Sequence, residues 1–72
     1  MTKTAKALLR MGVSVSLNTD DCRYLQLEEL VKIAIANEVR LTLIVGDNIT
    51  PDELERLALI GRSYLHLDFT KA

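Results

Sequence analysis

Three short segments of the chain alternate between apolar and polar side chains, and this alternation constrains the fold more than any other feature. The segments are VSVSL at 13–17, VRLTLIV at 39–45 and SYLHLDF at 63–69. A period of two residues is typical of a β-strand with one buried face. Parallel strands that are covered on both faces show continuous apolar runs instead. The pattern therefore predicts three strands with one apolar face and one open polar face.

Helical spacing separates the first two segments, which are linked by the polar loop NTDDC. A helix is predicted from about Leu25 to Ala36, and Asn37 is a plausible end for it. The apolar residues of this segment recur every three to four positions, as expected for a helix with one buried face. They are Leu27, Leu30, Val31, Ala34 and Ile35.

The stretch GDNITPDELERLALIG, at 46–61, predicts a second helix with both ends marked. The Thr50 hydroxyl is expected to cap the first turn, and the Glu53 side chain to bond back to the Thr50 amide. Pro51 suits the first helical position, where an N–H group has no partner within the helix. Gly61 is expected to take the left-handed conformation that ends the helix.

The amino-terminal segment TKTAKALLR, at 2–10, has two interpretations. Ala5, Leu8 and Leu9 have the spacing of a short amphipathic helix, but a frayed leader is the alternative. A helix here allows two further outcomes. Leu8 and Leu9 either fold back over the polar sheet face or leave that face open for a partner.

The order of these elements predicts an α/β fold. It consists of a short N-terminal helical leader, then β-α-β-α-β with a three-stranded parallel sheet and both helices on one face. We expect a single domain over 1–72, with a leader at 1–11 and two and a half strand–helix units at 12–69. Nine residues are predicted on the apolar sheet face: Val13, Val15, Leu17, Leu41, Leu43, Val45, Leu65, Leu67 and Phe69.

The strand–helix units also resemble one another. EELVKIA at 28–34 aligns with DELERLA at 52–58, and VSL, LTL and LHL recur in the three strands. LTLIVGDNITPDELERLA followed by YLHLDF resembles a unit of a leucine-rich-repeat protein, over residues 13–69. That family's pattern has Asn or Cys three positions after each strand core, where this chain has Asp20, Gly46 and Thr70. The resemblance implies a protein-binding scaffold rather than an enzyme.

Composition excludes several classes of function. A net charge of −1 over 72 residues disfavours a nucleic-acid-binding protein, which usually carries a basic excess. The apolar runs are too short for a membrane span. A single cysteine, Cys22, and no signal-peptide pattern predict a cytoplasmic protein. No cofactor motif is present, so no cofactor is expected.

Acidic residues follow each predicted strand. Because the carboxyl ends of parallel strands share one edge, Asp20, Asp47 and Asp68 are the candidates for a divalent-cation site. The simpler interpretation is that Asp, Asn and Gly are ordinary turn residues at these positions.

The polar sheet face is the second candidate site. Strand order 1-2-3 would align Ser16, Thr42 and His66 in one row, with Asp68 two residues beyond His66. Serine, histidine and aspartate on one surface suggest a hydrolase. A flat, water-exposed sheet lacks an oxyanion hole, and no G-x-S-x-G motif is present. A surface that contacts a partner is therefore the favoured interpretation.

These observations predict a small non-catalytic protein–protein interaction module that self-associates. The expected partner, another protein or a second copy, would contact the open sheet face, without nucleic acid or membrane. The alternative is a small subunit that binds a ligand or divalent cation at the carboxyl ends of the strands. The predicted partner-binding residues are Ser16, Thr42, Ile44, Tyr64 and His66.

Overall fold

A computed structural model describes residues 2–70 and has the predicted order of elements. Short 3-10 turns occupy Thr19–Asp21, after the first strand, and Arg62–Tyr64, before the third. The helices and strands are α1 (Thr2–Arg10), β1 (Val15–Asn18), α2 (Tyr24–Ala36), β2 (Leu41–Ile44), α3 (Pro51–Gly61) and β3 (Leu65–Asp68). The helical interpretation of residues 2–10 is therefore confirmed.

The three strands form a parallel sheet in the order β1-β2-β3, as predicted. Val15, Leu41 and Leu65 lie side by side at the start of the strands. Parallel neighbours need a crossover, and the amphipathic α2 and α3 supply it. Each strand thus pairs with its neighbour in sequence.

The core lies between the helices and the apolar sheet face. Leu41 and Leu43 of the central strand are fully buried, whereas Leu65 and Leu67 of the edge strand are only partly buried. Two predicted core residues are wrong: Val13 is 42% exposed and Phe69 is 54% exposed. The strands are four residues long, so both residues lie beyond the paired region and outside the helix layer.

Helix α1 packs beside α2 in the helix layer and against the edge of β1. Leu9 is fully buried in the core, and Lys6 forms an ion pair with Glu29 of α2. The hypothesis that Leu8 and Leu9 cover Ile44 and Tyr64 on the polar sheet face is therefore wrong. The leader belongs to the core and does not form a lid.

The ends of α3 confirm one prediction and contradict another. The Thr50 hydroxyl accepts a hydrogen bond from the Glu53 amide, and the Thr50 amide donates to the Glu53 carboxylate, at 3.2 and 3.0 Å. Gly61 does not take the left-handed conformation, because it lies within the helix and Arg62 has the positive φ of 50°. A Cβ on Gly61 would lie 2.6 Å from the Leu65 Cβ, so this glycine permits close packing of helix on strand.

Within residues 2–70, no helix has both the length and the apolar character needed to cross a membrane.

Candidate functional site

The open sheet face presents two rows of side chains across the strands. The register places Ser16, Thr42 and His66 in the first row, as predicted. The second row is Asn18, Ile44 and Asp68. Ser16 and His66, on the edge strands, are exposed, whereas Thr42 and Ile44 on the central strand are partly buried by their neighbours.

Tyr64 is separated from the other predicted contact residues. It belongs to the 3-10 turn Arg62–Tyr64, and β3 begins only at Leu65. Strand alternation therefore does not assign the Tyr64 side chain to the open face. Of the predicted partner-binding residues, the sheet itself brings together Ser16, Thr42, Ile44 and His66.

Ile44 lies at the centre of the second row, between two polar side chains. On one side Asn18 has a side-chain Oδ1 that is shielded from solvent and accepts no hydrogen bond within residues 2–70. On the other side, the Asp68 Oδ1 accepts a 2.9 Å hydrogen bond from the Thr70 amide. This bond lowers the pKa of the Asp68 carboxyl, and nearby His66 acts in the same direction. The row therefore combines an aliphatic centre, an unpaired acceptor and a carboxylate.

The arrangement of Ser16 and His66 does not suit a hydrolase. Strand β2 lies between them, and two strand spacings amount to about 10 Å. A serine nucleophile needs its base within hydrogen-bond distance. Thr42 is the hydroxyl-bearing residue directly beside His66.

The carboxyl ends of β1 and β2 are joined by side-chain to backbone hydrogen bonds. The Thr19 hydroxyl accepts from the Gly46 amide at 2.8 Å. The Asp20 Oδ1 accepts from the amides of Asp47 and Asn48, at 3.1 Å each. The Asp20 carboxylate is therefore used to hold the turn that precedes α3.

Asn48 completes this connection from the other side. Its side-chain amide donates to the backbone oxygens of Thr19 and Cys22, at 2.7 and 3.2 Å. Thr19 is fully buried, and sequence reasoning did not identify it as a structural residue. A threonine in a polar loop gives no sign of burial in the sequence, because its partner is distant in the chain.

The alternative cation site is not formed. Among residues 2–70, no group of three or more His, Cys, Asp or Glu side chains is placed to hold a metal ion. Asp20 contacts backbone amides, while Asp68 bonds to the Thr70 amide at the end of β3. The structure therefore does not bring Asp20, Asp47 and Asp68 into one ligand set.

Cys22 is a free cysteine that packs in the core. Burial raises the pKa of its thiol, and the Asp21 carboxylate adds to the increase. Because the thiolate is the nucleophilic form, this environment opposes reactivity at neutral pH.

No family model matches the chain, and no match is found among curated proteins or solved structures.

Proposed function

We propose that the protein is a non-catalytic protein-interaction module whose open sheet face binds a protein partner. The observation that supports this most strongly is the second row, in which the partly exposed Ile44 lies beside the Asp68 carboxylate on a face that α1 leaves open. A partly exposed aliphatic side chain with polar neighbours has the composition of a small contact centre. The resemblance to leucine-rich-repeat units is consistent with binding through a sheet face.

The chemistry of the face indicates what a partner must offer. Ile44 requires an apolar group, and Asp68 favours a nearby cation. A polypeptide segment with a basic side chain close to an aliphatic one satisfies both.

The alternative function, a ligand or cation site at the carboxyl ends, has no comparable support. The Asp20 carboxylate and the Asn48 side-chain amide, which lie at this edge, are already engaged by backbone groups of the facing turns. Thermal melting with and without Mg²⁺ or Ca²⁺ tests this alternative directly. A cation-dependent increase in Tm would favour it, because a ligand that binds only the folded chain stabilises it.

Paired variants test the proposed face. Ile44→Thr with His66→Ala removes the apolar centre and the imidazole but retains residues that suit a strand. The matched control is Leu25→Ser, which changes a 75%-exposed leucine on α2. When the chains are immobilised, the wild type and the control should capture a protein from a native extract, and the double variant should not. Binding of that purified protein is then measured by calorimetry, and equal affinity for all three chains would contradict the proposal.

A further inference from the structure

The two ends of the layered fold are both incomplete. At one end, which we call the head, α1 and β1 border a groove of about 280 Å³ whose lining includes Thr4, Ala5, Leu8, Val15 and Leu17. Val15 and Leu17 lie on the apolar face of an edge strand and remain partly exposed. The head therefore presents core-type side chains to solvent.

At the other end, the tail, α3 and β3 are exposed in the same way. Glu55, Ala58 and Leu59 line a shallow hollow on the outer side of α3, and Leu59 is 76% exposed. Leu65 and Leu67 on β3 are partly exposed, although Leu41 and Leu43 at the same register are fully buried. A further strand and helix beside the tail would complete the burial.

The contact between α2 and α3 within one chain, which we call the internal junction, shows which helix positions would meet between two copies. Arg23 is the N-cap of α2 and Thr50 is the N-cap of α3. When the two helices are aligned from these caps, Val31 corresponds to Ala58 and Ala34 to Gly61. This correspondence differs from the alignment of EELVKIA with DELERLA in the sequence. Between α2 and α3, a Cβ on Gly61 would lie only 3.1 Å from the Val31 Cγ1. The internal junction thus packs a larger residue against the smallest one.

The head supplies the equivalent position on α1. The Leu8 carbonyl accepts a hydrogen bond from the Val13 amide just after α1 ends, and the Ala34 carbonyl accepts one from the Val39 amide just after α2 ends. Leu8 therefore corresponds to Ala34. Placing the tail of one copy against the head of another brings Ala58 opposite Leu8. The small and large residues are exchanged relative to Val31 and Gly61, because here the larger residue lies on the head and the small one on the tail.

The free strand edges are also compatible. The Val15 amide donates to the carbonyl of Arg40, the residue before β2, so the alternate residues Ser16 and Asn18 present their backbone groups at the outer edge of β1. Val45 donates to Asp68, which leaves the backbone groups of Leu65 and Leu67 for the outer edge of β3. Strand β1 has no proline or charged residue, the features that usually protect a free edge.

The charges of the end helices are complementary. Helix α1 carries Lys3, Lys6 and Arg10 and no acidic residue. Lys6 forms an ion pair with Glu29, whereas Lys3 forms no ion pair within residues 2–70. Helix α3 carries three acidic residues, Asp52 and Glu53 in its first turn and Glu55 on its outer side, against one basic residue, Arg56. A basic helix at the head thus matches an acidic one at the tail.

From these observations we propose that the tail of one chain docks on the head of a second copy, with β3 pairing in parallel with the second copy's β1 and α3 packing beside its α1. This contact does not use Thr42, Ile44 or His66 of the proposed partner face, although Ser16 lies on that face and also lines the head groove. It is heterologous, so each bound chain still offers a free head or tail. Assembly therefore continues beyond a dimer unless a ring closes.

Sedimentation velocity on the 72-residue chain is the first test. The weight-average mass should rise with concentration from 8.1 kDa to beyond a dimer. Ala58→Arg places a long charged side chain against Leu8 of the second copy and should weaken association about tenfold or more. Leu25→Arg is the control, because Leu25 is 75% exposed on the middle helix, and it should associate like the wild type. Circular dichroism confirms that both variants are folded.

Mixing two blocked variants tests the head-to-tail geometry. Thr4→Arg fills the head groove, and Ala58→Arg blocks the tail, so each variant alone should associate much more weakly than the wild type. Their mixture should form a dimer at concentrations where neither variant alone does, because one intact head and one intact tail remain. A constant mass of 8.1 kDa for the wild type, equal association of Ala58→Arg and Leu25→Arg, or a mixture that associates no more than its components would each overturn the proposal. Loss of association in Ile44→Thr with His66→Ala alone would assign self-association to the open face instead.

Discussion

Asp20 occupies the space that a side chain at Gly46 would need. A Cβ on Gly46 would overlap the Asp20 carboxylate, whose Oδ1 accepts the amides of Asp47 and Asn48. The contact joins the turn after β1 to the turn before α3. Glycine is therefore required at position 46, because the side chain of Asp20, which is distant in sequence, lies against its Cα.

Gly46→Ala should destabilise the fold, because it displaces Asp20 from both amides. Hydrogen bonds to a charged group contribute about 1.5–3 kcal/mol, and we expect a loss in the free energy of unfolding within that range. Urea denaturation measures it. In the Asp20→Ala background the same substitution should cost much less, and equal costs in both backgrounds would show that the two residues are not coupled.

Thr50→Ala removes the capping hydroxyl of α3 and should cost about 0.5–2 kcal/mol. The Glu53 amide would lose its acceptor in the first turn. Ser63→Ala, at an exposed position of the turn before β3, is the control and should leave the denaturation midpoint unchanged. An unchanged midpoint for Thr50→Ala would contradict the capping geometry.

Leu9→Ala should cost about 2–5 kcal/mol, because the side chain is fully buried between the helices. In a domain of this size such a loss approaches the whole stability. Deletion of residues 2–10 should likewise unfold the chain, although α1 does not cover the open face. Leu25→Ala is the matched exposed substitution, and a similar loss in that variant would show that burial of Leu9 is not the cause.

Cys22 should react slowly with iodoacetamide at neutral pH in the folded chain and rapidly in urea. Burial raises the pKa of the thiol in the folded state, so its protonated form favours folding. This contribution is present below the thiol pKa of the unfolded chain, about 8.5, and is lost as the pH rises through the folded-state value. Unfolding midpoints at pH 7 and pH 10 should therefore differ more for the wild type than for Cys22→Ala. Equal differences would mean that the thiol does not contribute.

The faces of the sheet were predictable, but the ends of its elements were not. Alternation correctly placed Leu41 and Leu43 in the core, since it depends only on local geometry. Val13 and Phe69 continue the same alternation, but pairing stops before it reaches them. The length of a strand depends on where the neighbouring turns begin, and the alternation of apolar and polar residues does not indicate those positions.

Long-range contacts explain the other differences. Glycine is typical of the end of a helix, but Gly61 is needed because Leu65 and Val31 lie too close to leave room for a side chain. Thr19 and Asp20 lie in a polar loop whose partners, Gly46 to Asn48, are distant in sequence. In the candidate site, the row of Ser16, Thr42 and His66 followed from strand order, whereas the shielding of the Asn18 oxygen depends on the assembled neighbours.

The sequential strand order has a consequence for folding kinetics. Each strand pairs with its neighbour along the chain, so the largest loop that must close is a single strand–helix unit. Helix α2 and strand β2 have neighbours on both sides, and their amides should exchange with deuterium more slowly than those of the two ends. We therefore expect structure to form first around α2 and β2 and to spread outward, with the outer units adding to a nucleus that already exists.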